Sequence, residues 1–300
     1  MNKRNSILSV LAAALLVCFA AAATAQEQID ETRPLNADAT VSVDNISGSI
    51  VVTGWDRDEI HVTGTLGKNT ERLDIDGDKR RLRIEVVLPR GKRNINVKAS
   101  HLEIMLPHGC RLDLEGISAD IEVSGITGRV SAESVSGDII VSGEPDELSV
   151  ETVSGDLELD VNCDRVEAES VSGDAVLSNC RLRDLSVGNV SGKISAEGVR
   201  ARRVELGTVS GKIVFDGVLD EGGSLECGSQ SGDILIYMPA DLDAEVEIGS
   251  FSGDIESDFG SRRKPKKGFG PGEELEFVIG DGDLDIELGS FSGDIRLIKK

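Results

Sequence analysis

Apolar and polar positions recur along this chain in a repeat marked by Ser-Gly. Successive marker serines lie 18, 18, 19, 19, 21, 21 and 40 residues apart. These serines are Ser136, Ser154, Ser172, Ser191, Ser210, Ser231, Ser252 and Ser292. A fixed period of this length is typical of a solenoid or another array of repeats, and the last gap equals two repeats with an altered middle.

Aliphatic residues alternate with polar ones on both sides of each marker. They mostly occupy the sixth and fourth positions before the serine and the third and fifth positions after it. A spacing of two predicts β-strands with one buried face, and the glycine between them suits a tight corner. Each repeat is therefore predicted to be a strand, a corner and a second strand. The third-position column, which contains Ile139, Ile194 and Ile234, is expected to point inward.

This period predicts an all-β protein built as a parallel β-solenoid, with about 18–21 residues per coil. Weaker copies at Ser47 and Ser118 extend the register toward the N-terminus. We predict an irregular lead and a β-rich cap over 26–107, because an open solenoid end would expose unpaired strand edges. Solenoid repeats are predicted over 108–300, with a basic insertion at 258–278.

Two adjacent columns precede each marker serine. The column two positions before it holds small polar side chains such as Ser134 and Thr152, and the next column is apolar, as at Val135 and Val153. Strict alternation would turn the polar column inward, where each side chain is expected to donate a hydrogen bond to the next. Because both columns cannot point inward, a bend is expected just before Ser-Gly.

The first 25 residues have the three parts of a secretory signal peptide. Lys3 and Arg4 precede an apolar run over 7–23, and a small-x-small cleavage site ends at Ala25. An uncleaved membrane anchor is the alternative, although the run is short for a span. Cleavage would leave an exported chain without a stable membrane span, in the periplasm or at the cell surface.

Charge narrows the classes of function. The 300 residues include 32 basic and 54 acidic side chains, so the formal net charge is −22, and it becomes −24 when Lys3 and Arg4 leave with the signal peptide. No nucleic acid is expected as a partner, because a nucleic-acid binder needs a basic face to contact phosphates. A protein with several membrane spans is excluded, because it would need several long apolar stretches.

Distinctive segments punctuate the repeats. They are Asn45-Ile46-Ser47-Gly48, then Val52-Thr53-Gly54-Trp55-Asp56-Arg57-Asp58-Glu59, Leu106-Pro107-His108-Gly109, the Val-Ser-Gly-Asp runs, and Gly289-Ser290-Phe291-Ser292-Gly293-Asp294-Ile295. Together they resemble a bacterial exported family of unknown function with β-strand repeats, often labelled putative adhesin. The resemblance covers nearly all of the chain after the signal peptide. It implies a non-catalytic, solenoid-like protein and no catalytic residues.

Aspartate dominates the column two positions after the marker. Asp138, Asp156 and Asp174 are candidate calcium ligands, because hard cations take several oxygen ligands. The alternative is a column of water-exposed turn residues, since stacked like charges repel by only about 1 kcal/mol in water. Lys193 and Lys212 interrupt the column. No metal or cofactor is predicted beyond these candidates.

Other familiar motifs fail on detail. Gly188–Lys193 and Gly207–Lys212 look like phosphate-binding loops, but each has three residues between the glycines and is followed by Ile. His61, His101 and His108 show no paired spacing for a metal and no catalytic triad. The loops are therefore expected to be solenoid corners, and the histidines to be exposed or in turns.

Cysteine spacing leaves two interpretations. Cys163 and Cys180 lie 17 residues apart, close to one coil. Neighbouring coils lie about 4.8 Å apart, inside the Cα range of a disulfide, so a bridge between the two is one hypothesis. Two separate core thiols are the other. Cys227 falls in an inward column and is expected in the core.

A basic run interrupts the acidic chain. It consists of Arg262, Arg263, Lys264, Lys266 and Lys267. This run is a candidate partner-contact loop for anionic lipid or glycan phosphates, and a solvated insertion loop is the alternative.

The sequence as a whole predicts a non-catalytic envelope protein. It would act as an adhesin-like binding module or a structural scaffold that presents a repetitive surface to an envelope protein or glycan. The alternative is a polysaccharide-active β-solenoid enzyme, since some such enzymes place paired carboxylates on an outer face. Sugar clefts usually add aromatic platforms, and aromatics make up only 3% of this chain.

Overall fold

A computed structural model describes residues 27–89, 97–260 and 272–300. These residues form 21 β-strands and no helix. The first seven strands are β1 (Gln28–Pro34), β2 (Thr40–Trp55), β3 (Glu59–Thr65), β4 (Arg72–Gly77), β5 (Arg81–Val87), β6 (Ser100–Pro107) and β7 (Arg111–Ser124). The next seven are β8 (Val130–Ser134), β9 (Ile139–Gly143), β10 (Glu147–Thr152), β11 (Leu157–Ser172), β12 (Ala175–Ser178), β13 (Arg181–Ser191) and β14 (Ile194–Ser210). The last seven are β15 (Ile213–Ser229), β16 (Ile234–Met238), β17 (Ala244–Ser250), β18 (Ile255–Ser257), β19 (Glu273–Ile279), β20 (Leu284–Ser290) and β21 (Ile295–Lys299).

Parallel pairing stacks these strands into two rows, one on each side of the Ser-Gly corner. The first row runs β5, β2, β7, β8, β10, β11, β13, β14, β15, β20 and β17. The second row runs β6, β2, β7, β9, β11, β12, β14, β15, β16, β21 and β18. Long strands such as β7 and β15 belong to both rows. The predicted parallel β-solenoid is therefore confirmed.

The predicted inward columns fill the space between the rows. Ile139, Ile194 and Ile234 are each 0% exposed, which confirms the register deduced from the sequence. Phe215 is the largest fully buried side chain of the described residues. Because each coil buries its aliphatic residues against the coils above and below, the core is continuous along the whole stack.

Both ends of the stack depart from chain order. Strands β5 and β6 lie outside β2, although β2 precedes them in the chain. At the other end, β20 and β21 lie between the coil of β15 and β16 and the coil of β17 and β18. The first and last coils in the sequence are thus each held between two others. The order of the coils in the stack therefore differs from their order in the chain at these two places.

Antiparallel strands cover the ends. Strand β4 lies on β5, β3 lies on β6 with β1 beyond it, and β19 lies on β17. Coils already begin at β2, so the predicted boundary at residue 107 does not separate a cap from the solenoid. The predicted insertion at 258–278 also contains a strand, since β19 occupies residues 273–279. The basic residues Arg262 to Lys267 lie outside the described residues.

The two columns before the marker serine separate as alternation requires. Ser134 and Thr152 are buried, whereas Val135 and Val153 are 48% and 46% exposed. The buried hydroxyls do not form a chain with one another. Instead, Ser134 Oγ donates to the carbonyl oxygen of Ala119 (3.1 Å), and Thr152 Oγ1 donates to that of Gly137 (3.3 Å), in the corner of the neighbouring coil. Asn189 and Ser250 make the same kind of bond, to the carbonyl oxygens of Gly173 and Gly293. The polar column therefore links four coils to a neighbouring corner, whereas four of its buried hydroxyls have no hydrogen-bond partner among the described residues: those of Ser170, Thr208, Ser229 and Ser290.

Candidate functional site

The aspartate column holds the corners together through backbone amides. The backbone N–H of Asp156 donates to Asp138 Oδ1 at 2.9 Å, and that of Asp174 donates to Asp156 Oδ1 at 2.8 Å. Lys193 continues the series with its own N–H on Asp174 Oδ1, at 2.8 Å. The calcium candidates thus have a structural role that needs no metal. Within the described residues, no group of three or more His, Cys, Asp or Glu is arranged to hold a metal ion.

Cys163 and Cys180 do not lie opposite each other in neighbouring strands. Strand pairing places Cys163 opposite Leu182 rather than Cys180, and both thiols are free in the structure. Burial raises the pKa of the Cys163 thiol to about 12. The disulfide hypothesis is therefore not supported by this register, because the coil at this point is nineteen residues long from Cys163 to Leu182. Cys227 is buried, as expected.

The remaining motifs occupy ordinary positions. Strands β14 and β15 directly follow Lys193 and Lys212, so the two lysine segments are solenoid corners as predicted. His61 Nε2 lies 2.9 Å from Asp30 Oδ1, and His101 Nδ1 lies 2.9 Å from Ser49 Oγ. His108 contacts the carbonyl oxygen of Gly125. These contacts do not bring the three histidines together.

A groove of about 1170 Å³ follows the first row across the coils, just before the corner. Three columns form it. The first is the valine stripe, which is exposed: Ile117, Val135, Val153, Val171, Val190 and Val209. The second is the buried polar column described above. The third lies in β7, β8, β10, β11, β13, β14 and β15, and it is glutamate in four coils and glycine in the next three.

The glutamates of the third column form an acidic half of the groove. They are Glu115, Glu133, Glu151 and Glu169, aligned strand by strand. The charge of Asp44, with burial and further acids, raises the pKa of Glu115. Burial, with the charges of Glu133 and Glu169, raises the pKa of Glu151. The half therefore concentrates negative charge beside the valine stripe.

The glycines of the third column form a glycine half. They are Gly188, Gly207 and Gly228, aligned in β13, β14 and β15. A Cβ built on Gly207 or Gly228 would meet no atom within 4 Å. The side chains that form one wall of the groove in the acidic half are absent here, so the bare backbone of this column becomes part of the groove floor. Phe291 lines its far end, stacked on Phe251 at 4.8 Å between ring centroids.

The groove was not foreseen from the sequence. The apolar and polar columns are both visible in the sequence, but the bend expected just before Ser-Gly leaves open which of the two faces outward. The signal that could have located it is the switch from Glu169 to Gly188 in an otherwise regular column. Glycine weakens the interior of a strand, and it often marks a site where a ligand or another backbone approaches closely.

These features define a parallel β-solenoid with one continuous, partly apolar groove. A family model called Toastrack DUF4097 matches residues 39–298, and the chain belongs to this family. The family resemblance drawn from the sequence is thereby confirmed. A search of curated proteins finds no match.

Two solved structures are similar to this chain. A protein called putative lipid binding protein from Parabacteroides distasonis is 16% identical, with a TM-score of 0.51 over 90% of this chain and 96% of that one. A protein called putative adhesin from the same species is 11% identical, with a TM-score of 0.48 over 91% and 98%. The likeness to the first concerns the fold alone. Within the described ranges, no helix is long and apolar enough to span a membrane.

Proposed function

We propose that this chain is an exported, non-catalytic binding or scaffold module of the cell envelope, adhesin-like in its use of a repetitive face. The observation that carries the proposal is the valine stripe, a row of aliphatic side chains left exposed along the groove. Contiguous exposed apolar surface of this kind marks interaction sites in soluble proteins.

The groove is better suited to binding than to hydrolysis. Among the residues that the structure describes, Phe291 is the only aromatic one that lines it, at the end away from the glutamates. An acid and base pair needs two carboxyls whose surroundings separate their pKa values. The pKa values of Glu115 and Glu151 are both shifted upward, so these two carboxyls do not form a pair whose pKa values are separated in opposite directions.

The test compares two sets of exposed aliphatic side chains. Val135, Val153 and Val171 lie in the groove, whereas Ile140, Val176 and Val218 are similarly exposed outside it. Each set is changed to serine, and the immobilised protein is exposed to separated envelope fractions of polysaccharide, protein and vesicles. We expect the groove variant to lose retention of one fraction and the control variant to keep it.

If both variants retain the envelope fractions equally, the groove is not the binding surface. Release of shortened saccharides from the polysaccharide fraction by the unaltered protein would instead favour the enzymatic alternative.

A further inference from the structure

The two halves of the groove differ in chemistry, and this difference identifies a partner. We propose that the groove binds an extended, cationic segment of another polypeptide. The segment lies along the solenoid axis, with basic side chains on the acidic half and bare backbone beneath it in the glycine half. This inference rests on the proposed binding function and names the chemistry of its partner.

The glutamates of the acidic half lack basic partners within the described residues. Glu115, Glu133, Glu151 and Glu169 form no salt bridge with any residue that the structure describes. At the adjoining end of the same column, Arg83 contacts Asp44 at 2.7 Å and Glu85 at 3.4 Å. One arginine thus pairs with two carboxylates at this end of the groove, whereas the four glutamates further along it have no such basic partner among the described residues. A partner with basic side chains supplies the missing charge.

The spacing between the glutamate column and the valine stripe favours an extended chain over a helix. The glutamate column and the valine stripe stand two residues apart on each strand, which corresponds to about 7 Å. An α-helix with its side chains is about 10–12 Å across, so it cannot enter between the columns. An extended chain can, and its alternating side chains point to opposite walls. One wall offers carboxylates and the other offers valine methyl groups.

The glycine half leaves room for the backbone of a bound chain. Gly207 and Gly228 have ordinary backbone conformations and open space where a Cβ would stand. Glycine inside a strand is destabilising relative to alanine, because it loses more conformational freedom on folding. Here it keeps the floor free of side chains, so that a second backbone can approach closely.

Apolar contact separates this partner from other cations and from lipids. A small polyamine would use the glutamates and leave the valine stripe exposed. An anionic lipid would be repelled by the glutamates. A polypeptide that alternates basic and aliphatic side chains satisfies both walls.

The experiment uses synthetic twelve-residue peptides and the purified protein. The test peptide alternates Lys with Val and Thr, and two control peptides replace Lys by Glu or Val by Ser. Binding is measured by fluorescence anisotropy at low and high salt. We expect the test peptide to bind, and both control peptides to bind at least about tenfold more weakly.

Matched variants locate the site. Glu133, Glu151 and Glu169 are changed together to Gln, and Glu103, Glu122 and Glu158, which are exposed in the second row, are changed in the same way as the control. Both variants alter the net charge equally. We expect the groove variant to weaken binding about tenfold, which is about 1.4 kcal/mol shared by three exposed ion pairs, and the control variant to leave it unchanged.

A third variant tests the glycine half. Gly207→Val combined with Gly228→Val should preserve the fold, as judged by thermal unfolding, and weaken peptide binding at least about fivefold. Unchanged binding by this variant would overturn the role of the bare floor.

The whole inference is overturned if the peptide binds the groove and control glutamate variants equally. It is also overturned if the groove binds neutral vesicles instead, or if it mediates self-association that the groove variant abolishes. If the serine variants of the valine stripe lose an envelope fraction while no cationic peptide binds, the proposed function stands and this inference fails.

Discussion

Glycine forms two columns in this solenoid, one in the corners and one in the floor of the groove. In the corners, a Cβ added to Gly211 would overlap the carbonyl oxygen of Gly192 in the neighbouring coil. In the floor, a Cβ added to Gly207, only four residues earlier, would meet nothing. Corner glycine is required by the approach of two backbones, whereas floor glycine is not required by any contact within the chain.

The corner glycines are needed for folding, whereas the floor glycines shape the surface of the groove. The corner column is present in nearly every coil, from Gly137 to Gly293, because every coil must pass close to the next. The floor column changes from glutamate to glycine midway along the stack, although the strand pairing continues without a break. A change that packing does not demand is the better guide to function.

The largest expected effect comes from breaking a corner. Gly211→Ala should lower the free energy of unfolding by about 3 kcal/mol or more, because the methyl group meets backbone that cannot move aside. Urea denaturation of the variant measures the loss. A change below about 1 kcal/mol would show that the coils can separate to admit a side chain.

A smaller loss is expected from removing one hydrogen bond that the buried polar column makes to a neighbouring coil. Thr152→Val removes the donor to the Gly137 carbonyl and should cost about 1–2 kcal/mol in unfolding free energy. Ser154→Ala, at the exposed marker position of the same coil, is the matched control and should change little. Similar losses in both variants would mean that this hydrogen bond is not a major source of stability.

The floor should respond in the opposite direction from the corner. Gly207→Ala is expected to raise the free energy of unfolding by about 0.5–1 kcal/mol, because alanine has less backbone freedom to lose on folding. Thermal unfolding beside Gly211→Ala makes the comparison within one coil. Destabilisation by Gly207→Ala would show that the floor glycine has a structural purpose after all.

The smallest effect concerns the acidic half and depends on pH. Glu151→Gln should raise the unfolding free energy at pH 7 by less than about 1 kcal/mol. Burial, together with Glu133, Glu169 and Glu167, raises the folded-state pKa of Glu151. A carboxyl with a raised folded pKa contributes stability that is present below its unfolded pKa and is lost as pH rises through the folded pKa.

The gain from glutamine should therefore be seen at neutral pH and disappear below about pH 4, where unfolded glutamate is protonated. Glu158→Gln is the control, because its strand neighbours are Ile140 and Val176 rather than acids. A gain at Glu151 that persists at low pH would have a cause other than charge repulsion.

The coil could be predicted from the sequence because it is encoded locally. The alternation around Ser136 or Ser210 has a period of two, and a strand turns successive side chains to opposite faces. A slip of one residue would expose the whole buried set, so the columns of Ile139 and Ile194 could be placed inward without coordinates.

The candidate site could be predicted only in part. The valine and polar columns are visible in the sequence, but only the structure shows that strict alternation continues up to the corner, so that Ser134 is buried and Val135 is exposed. The aspartate column is also visible in the sequence. Its hydrogen bonds to backbone amides are not, because Asp138 accepts from the N–H of Asp156, which lies one coil away.

Sequence alone thus determined the repeat, the corner and the buried columns, because these depend on neighbours within one coil. Tertiary structure decided which coils touch, and so placed β20 between β15 and β17, aligned Cys163 with Leu182 and joined six aliphatic residues into one stripe. Contacts between coils join residues about 20 positions apart in the stack and 40 or more at its ends, as between Gly228 and Gly289. No local pattern specifies such distant partners, because backbone hydrogen bonds in a parallel ladder are the same for any pair of coils.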